Sequence, residues 1–303
     1  MILTGYKHPN YALSLSEFGE PISLPKCGGY LLKRVIPNSQ AYDAMGCYPL
    51  FACSDWSMLG EDLNLLDDQL VSLAVVTDPF GQYDVKMLQG IFRDRVFAFK
   101  THFVTDLTRP NTDFISGHRR RMALRALRKM EVEIISEPVQ YVDEWTRLYS
   151  HLIDHHHVQG IRAYSHAAFT IQFGLPNTYY VRAIINNQPI GAQVCFLQDN
   201  VVHCHLAAFT EAGYDFGASY ALDWASIDYF TGKAHWYNMG GGVGVNAESN
   251  DGLSLYKRGW ASDTRTAYFC GRIINQKLYE SIALQFPKTN SSYFPVYRDG
   301  EYA

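Results

Sequence analysis

Three apolar segments joined by two short polar turns, between residues 178 and 210, constrain the fold more than any other feature of the sequence. The segments read TYYVRAII, IGAQVCFL and VVHCHLAAFT, and the turns between them contain Asn-Asn-Gln-Pro and Gln-Asp-Asn. Asn and Asp tolerate the left-handed backbone of tight turns, so short apolar runs spaced in this way predict three strands of a meander. The chain is therefore expected to build a sheet that is largely antiparallel.

Helices and further strands surround the predicted meander. Apolar residues at helical spacing predict helices at 118–130, 142–158, 165–173 and 219–230. The inward face of the first helix is predicted to consist of Met122, Leu124, Ala126, Leu127 and Met130. Short apolar runs predict strands at 28–36, 70–80, 96–107, 132–138, 235–240 and 267–274. From about residue 120, the order is helix, strand, two helices, three strands, helix, strand, a helix-like return and a final strand.

Composition narrows the class of protein. The chain has 303 residues, of which 47% are hydrophobic and 18% charged, as is typical of a globular protein. A net charge of −4 argues against nucleic-acid binding through overall charge, although a local basic patch remains compatible with it. The six cysteines lack disulfide-like spacing and are predicted to be reduced, mostly buried thiols. We expect no secretory signal and no membrane span, and hence a cytoplasmic location.

Four stretches, taken in order, resemble a known superfamily. They are RRRMALRALRKMEVEI, NNQPIGAQVCFLQDNVVHCHLAAF, DFGASYALDWASIDY and MGGG followed by DGLSLYKRGW. Their sequence and order resemble the GNAT acyltransferases, and more sharply the FemABX and BioF2-like branch. The resemblance covers residues 118–275 well and residues 1–117 only in outline.

The resemblance implies a fold and an activity. The expected fold class is α/β (α+β), a tandem GNAT-like fold with mixed, mostly antiparallel central sheets flanked by helices. The expected domains are an N-terminal GNAT-like half, 1–117, and a C-terminal acyltransferase half, 118–303. The implied enzyme moves an acyl or aminoacyl group from acyl-CoA (such as acetyl-CoA) or aminoacyl-tRNA to a small-molecule amine, without a metal. The alternative is a catalytically inactive double-GNAT protein that serves in binding or as a scaffold.

A glycine-rich segment followed by a lysine is the first candidate site. Its glycines allow positive φ and close backbone approach to a ligand, or alternatively form a flexible hairpin; they are Gly240, Gly241, Gly242 and Gly244. In the resembling family this loop borders the transfer cleft, and an aromatic-lysine pair lies near the transferred group. Lys257 would then stabilise the oxyanion that forms during acyl transfer. Tyr256 stands where the family usually has phenylalanine. The alternative for Lys257 is a solvated loop lysine.

The turn before Ser219 is the second candidate. GNAT enzymes that use acyl-CoA bind its pyrophosphate with an R/Q-x-x-G-x-G/A loop at a helix N-terminus. Here the corresponding letters are YDFGAS, in which only Gly217 is kept and Asp215 would repel phosphate. Gly217 and Ser219 are therefore predicted either to contact the donor or to form an ordinary helix start.

Histidines provide further candidates. His203 and His205 alternate on one strand and so share one face, and His205 could accept a proton from the attacking amine. The alternative is a pair of partly buried, hydrogen-bonded rings. His155, His156 and His157 are consecutive on a predicted helix, so they point in different directions and are interpreted as surface residues.

The remaining candidates concern substrate binding. Arg121 and Arg125 belong to a basic run that is either a solvated helix face or a site for the phosphates of a nucleotide-linked substrate or tRNA; the run also contains Arg119, Arg120, Arg128 and Lys129. Asp251 either orients the amine or, as we favour, caps a turn. In the resembling proteins, the stretch that matches GIRAYSHAAF precedes a helix on the acceptor side, so the resemblance makes Tyr164 and Ser165 candidates for substrate contact.

Overall fold

The computed structural model describes residues 2–66, 70–242, 251–286 and 293–301. In chain order, the strands are β1 (Glu20–Leu24), β2 (Gly29–Val35), β3 (Tyr42–Gly46), β4 (Leu70–Val76), β5 (Arg95–Asp106), β6 (Glu131–Ser136), β7 (Thr178–Ile185), β8 (Gln188–Gln198), β9 (Val201–Phe209), β10 (Trp236–Asn238) and β11 (Asp263–Ile273). The helices are α1 (Pro9–Leu13), α2 (Leu59–Asn64), α3 (Val85–Ile91), α4 (Gly117–Leu127), α5 (Val142–His156), α6 (His166–Phe173), α7 (Glu211–Phe216), α8 (Ala218–Phe230), α9 (Gly252–Arg258) and α10 (Gln276–Ala283).

The chain divides into two compact units. Unit 1 comprises residues 1–5, 100–159 and 163–266, and unit 2 comprises residues 6–99, 160–162 and 267–303. The unit boundaries therefore fall inside β5 and β11, whereas the sequence predicts a division at 117/118. The predicted division separates two halves that each resemble a GNAT fold, whereas the two units are separated by their internal contacts. The predicted division therefore stays a prediction.

Unit 2 contains a sheet with the strand order β1-β2-β3-β4-β11. Its neighbouring strands are antiparallel except for β3 and β4, which are parallel. Trp56 packs edge-on against Phe51, with a centroid distance of 5.6 Å, and both rings belong to the buried core of this unit. Aromatic and aliphatic burial of this kind supplies most of the stability of a folded unit.

Unit 1 contains the predicted meander. Its strand order is β5-β10-β9-β8-β7-β6, and every pair is antiparallel except β9 and β10. Both meander turns use two left-handed residues, Asn186 with Asn187 and Asp199 with Asn200, as their residue types predict. Tyr179 packs against α8 and the next residue, Tyr180, packs against α5, so these helices cover opposite faces. The predicted fold class, mixed and mostly antiparallel sheets flanked by helices, is confirmed.

The inward face of α4 differs from its prediction. Leu124 is 41% exposed, whereas Ala123 and Ala126 are buried. Small alanines let α4 pack closely against α8, and the Cβ of Ala126 lies 4.0 Å from where a Cβ on Gly217 would stand. The helix is rotated so that alanines face inward, and the prediction for Leu124 was wrong because its larger side chain would not fit this close packing.

Candidate functional site

The candidate site lies in unit 1, where the pairing of two parallel strands ends. β9 and β10 pair from Trp236 to Asn238, and the last pair is Asn238 with His203. β9 then continues to Phe209 beside β8. The chain after β10 stays with β5, since the Met239 N–H donates to the Phe103 carbonyl at 3.0 Å. Strands that stop pairing leave main-chain groups of β9 that β10 does not satisfy, a common setting for a ligand.

Lys257 lies at this point. It is in the last turn of α9, not in a loop as one interpretation of the sequence held, and it is half-buried. Its ammonium donates a hydrogen bond to the Gly241 carbonyl at 2.7 Å, and the ammonium of Lys100 donates to the Gly242 carbonyl at 3.3 Å. Burial lowers the pKa of Lys257 to about 8. Lys257 is therefore not a solvated loop lysine.

The glycines at 240–242 allow their own backbone to lie close to α9 and to its N-cap, Asp251. Gly240 has φ +77°, a left-handed conformation that favours glycine. A Cβ on Gly242 would lie 2.6 Å from a carboxylate oxygen of Asp251. Asp251 itself caps α9 by accepting from the Ser254 N–H at 2.9 Å, so that it caps a helix rather than the turn that was favoured, and its role in orienting the amine stays a prediction. Gly244 lies outside the described residues.

A buried carboxylate that no sequence motif marked lies near Lys257. Asp223, on α8, is 3% exposed. The Tyr256 hydroxyl donates to its Oδ2 at 2.6 Å, and Gln193 Nε2 donates to its Oδ1 at 2.7 Å. Burial raises the pKa of Asp223 to about 6, although these hydrogen bonds and the charge of Lys257 act in the opposite direction. The available signal was an aspartate within the apolar stretch YALDWASI.

Arg119 is the arginine of the basic run that enters the site. Its guanidinium donates to the Tyr220 hydroxyl at 2.9 Å and to the Leu255 carbonyl at 3.2 Å. It also lies 4.9 Å from the ring centroid of Tyr256, within the range of a cation–π interaction. The predicted residues Arg121 and Arg125 are exposed on α4. Their role in phosphate binding stays a prediction.

A second polar network supports the glycine segment. The Oδ1 of Asn238 accepts from the Gly240 N–H at 2.9 Å and faces His102 Nδ1 at 3.1 Å, while its Nδ2 faces His203 Nδ1 at 3.2 Å. Because a backbone N–H can only donate, the Asn238 atom facing Gly240 must be the oxygen. His102 must then carry a proton on Nδ1, and His203 must accept at Nδ1. Burial lowers the pKa of His102 to about 3, so this ring is neutral near pH 7.

This network predicts the effect of replacing Asn238 by aspartate. An oxygen would then face the acceptor Nδ1 of His203, and we expect a loss of about 2 kcal/mol in the free energy of unfolding near pH 8. The loss should shrink near pH 5, because a carboxylate raises the pKa of a neighbouring histidine and a protonated ring can donate. Urea denaturation at both pH values measures this, with Asn10→Asp at an exposed position as the control. An equal loss at both pH values would contradict the assignment.

His205 and Tyr164 lie together in a buried ring cluster. The His205 ring stacks on Phe196 at a centroid distance of 4.8 Å and meets the edge of Tyr164 at 5.6 Å. Burial lowers the pKa of His205 to about 3, so the ring is neutral near pH 7 and a weak base. The predicted catalytic role of His205 and the predicted acceptor contact of Tyr164 stay predictions.

The predicted pyrophosphate loop forms the junction of two helices. Gly217, with φ +73°, ends α7 and directly precedes α8, and no side chain caps the start of α8. Ser219 lies in the first turn of α8, where its side chain interacts with the Tyr256 hydroxyl. The structure therefore brings Ser219, Tyr256 and Lys257 together, whereas the donor contact of Gly217 and Ser219 stays a prediction.

The described residues show neither a cluster of metal-binding side chains nor a helix that could span a membrane. Within 2–66, 70–242, 251–286 and 293–301, no group of His, Cys, Asp or Glu side chains is arranged to hold a metal ion. In the same ranges, no helix combines the length and the hydrophobicity needed to cross a membrane.

Known proteins match this chain in structure and not in sequence. No protein-family model matches the sequence, and no curated protein matches it. The structure of FemX is similar with a TM-score of 0.64 and 12% identity, over 90% of this chain and 93% of that chain.

Two further solved structures are also similar. The first is described as the C-terminal domain (DUF2156) of a lysylphosphatidylglycerol synthetase from Agrobacterium fabrum, with a TM-score of 0.60, 12% identity and coverage of 92% and 93%. The second, L-PGS from Bacillus licheniformis, has a TM-score of 0.58, 11% identity and coverage of 94% and 97%. At such identities the likeness concerns the fold, and at that level the predicted FemABX-like resemblance is confirmed.

Proposed function

We propose that this chain is an acyltransferase that moves an acyl or aminoacyl group from an activated ester or thioester to an amine, forming an amide. The observation that carries the proposal is the half-buried Lys257, whose ammonium lies 2.7 Å from the Gly241 carbonyl where β9 and β10 stop pairing. The fold shared with FemX, and with a protein named as a lysylphosphatidylglycerol synthetase, supports the same class of reaction.

In this proposal Lys257 stabilises negative charge on the donor carbonyl. Attack by the amine turns that carbonyl tetrahedral and places a negative charge on its oxygen. An ammonium has three N–H donors, and the hydrogen bond to Gly241 uses one of them. A pKa of about 8 keeps most of the Lys257 side chains protonated at pH 7. Because the group is held in place and partly shielded from water, it stabilises the transition state without reorganising.

The donor is proposed to carry phosphate groups. Both acyl-CoA and aminoacyl-tRNA do, and exposed cations suited to them lie on α4 and directly after its last residue, namely Arg120, Arg121 and Arg125 on the helix, then Arg128 and Lys129. The uncapped start of α8 after Gly217 offers backbone N–H groups, although Asp215 lies close by in the sequence. The acceptor is proposed to be a small-molecule amine.

A donor panel tests the proposed function. Purified protein is incubated with acetyl-CoA, longer acyl-CoAs or aminoacyl-tRNA, each with a set of primary amines, and mass spectrometry detects the amide. We expect one donor class to give product and to raise the melting temperature, since a ligand that binds the native state stabilises it. Failure of every donor to give amide above the background without protein would overturn the proposal in favour of a binding or scaffold protein.

A further inference from the structure

Amide formation releases a proton, and Lys257 in its charged form cannot take it. As the amine attacks, the nitrogen–carbon bond forms and the nitrogen must lose a proton for the amide to become neutral. A group that accepts this proton has to be close to Lys257 and has to be ionised before the reaction. The buried carboxylate of Asp223 lies close enough to Lys257 for the lysine's charge to lower its pKa, and the Tyr256 hydroxyl donates a hydrogen bond to this carboxylate.

We propose that Asp223 accepts this proton through the hydroxyl of Tyr256. This inference rests on the proposed function and adds a proton acceptor to it. The amine proton moves to the Tyr256 oxygen while the phenolic proton moves to Asp223 Oδ2. The bond from the carbonyl carbon to the ester oxygen or thioester sulfur breaks, and its electron pair leaves with that atom. The proton then returns from Asp223 through the same hydroxyl to the leaving group, so that no other reactant is needed.

The geometry fixes the direction of the hydrogen bonds. An ionised carboxylate can only accept, so the Gln193 amide nitrogen must be the group that donates to Asp223 Oδ1, at 2.7 Å, and Gln193 Oε1 accepts from the hydroxyls of Ser226 and Tyr237, each at 3.3 Å. With Oδ1 occupied in this way, Oδ2 receives the Tyr256 proton at 2.6 Å. The hydroxyl of Tyr256 therefore points its hydrogen inward, and its oxygen keeps lone pairs that can accept a proton.

The residues around Tyr256 and Asp223 can stabilise a transient negative charge on the Tyr256 oxygen. The guanidinium of Arg119 lies 4.9 Å from the Tyr256 ring centroid and is anchored by Tyr220 and by the Leu255 carbonyl. Ser219 interacts with the Tyr256 hydroxyl from the first turn of α8. A fixed cation and a hydroxyl at this position stabilise the charge that develops when the phenolic proton moves.

Burial tunes Asp223 for this role. Its pKa of about 6 leaves it mostly ionised at pH 7 and makes it a better proton acceptor than an exposed aspartate. The titratable and charged groups that face it belong to four other elements: Tyr256 and Lys257 on α9, Arg119 on α4, Cys195 on β8 and Tyr237 on β10. Lys257 and Arg119 favour the ionised form, whereas desolvation opposes it.

Two conservative substitutions test the inference. Single-turnover transfer is measured from about pH 5 to about pH 9 with the donor that the panel identifies and with methoxyamine, an amine that is uncharged over most of this range. The wild-type rate is expected to rise with an apparent pKa of about 6, to level off at about pH 7, and to fall above about pH 8 as Lys257 loses its proton. Tyr256→Phe, which removes only the hydroxyl, should lower the plateau by roughly 100-fold. Asp223→Asn should abolish the rise with pH.

A matched control variant, together with the activity of the wild-type protein, distinguishes a failure of this inference from a failure of the proposed function. Tyr229→Phe alters another half-buried tyrosine of the same unit, on α8, and should leave the profile unchanged. Transfer that persists in Tyr256→Phe at the wild-type rate, or an unchanged pH profile in Asp223→Asn, overturns this inference and leaves the proposed function standing. Absence of transfer from every donor in the wild-type protein overturns both. Near-ultraviolet circular dichroism tests whether each variant is folded. If Asp223→Asn does not fold, the rate of Tyr256→Phe alone decides whether the inference stands.

Discussion

Replacing Lys257 by methionine is expected to abolish transfer and, at the same time, to stabilise the fold. Loss of a fixed donor to an oxyanion lowers turnover by roughly 100- to 1,000-fold. The stability gain arises because burial lowers the pKa of Lys257 from 10.5 to about 8, so that keeping the ammonium charged in the folded state costs about 3 kcal/mol. Methionine has a similar length and carries no charge, although about 1 kcal/mol is lost with the bond to Gly241.

The gain in the free energy of unfolding of Lys257→Met is expected to decrease as the pH rises. The folded protein binds fewer protons at Lys257 than the unfolded chain does between about pH 8 and pH 10.5. The destabilisation by the wild-type lysine is therefore complete below pH 8 and disappears as the pH rises to 10.5. Urea denaturation of both proteins at about pH 7 and about pH 10 measures the difference.

An exposed lysine provides the matched control. Lys277→Met, on α10, should change the free energy of unfolding by less than about 0.5 kcal/mol and leave transfer intact. If Lys257→Met destabilised the fold by several kcal/mol and retained its turnover, both the burial of the ammonium and its role in the reaction would be wrong.

Replacing Gly213 by alanine is expected to destabilise the fold more than the Asn238→Asp substitution does. Gly213 lies in α7, and a Cβ there would stand 2.1 Å from the Ile190 carbonyl oxygen. That carbonyl cannot move away freely, because it accepts the backbone N–H of Thr210 at 2.9 Å and its hydroxyl at 3.1 Å. We expect a loss of about 3 kcal/mol in the free energy of unfolding, as is typical of overpacking against a fixed neighbour.

A second helical glycine isolates the steric cause. Gly90, in α3, has no atom within 4 Å of an added Cβ, so that Gly90→Ala should gain about 0.5 to 1 kcal/mol from helix propensity. Thermal and urea denaturation of the two variants, measured side by side, should show changes in the free energy of unfolding of opposite sign. A gain, or no loss, in Gly213→Ala would show that the close approach of α7 to β8 is misplaced, and a loss in Gly90→Ala would contradict the helix-propensity gain.

Local patterns in the sequence predict much of this molecule. Asn-Asn and Asp-Asn specify the two meander turns because these residue types accept left-handed backbone at small cost. Asp251 caps α9 through a bond to the Ser254 N–H, three residues further on. Such features depend on neighbours in the chain, so residue type and spacing are sufficient to predict them.

The sequence by itself therefore determined the meander, the flanking helices, the glycine segment and the lysine that follows it. The tertiary structure alone decided that Arg119 rather than Arg121 turns inward, because helix positions two residues apart differ in direction by about 200° and packing sets the rotation. It also decided that Asn238 bridges His102, 136 residues away, to His203, and that Tyr256 reaches Asp223, 33 residues away. These pairs meet because strand order and helix packing bring distant segments together, and no local pattern in the sequence encodes such a meeting.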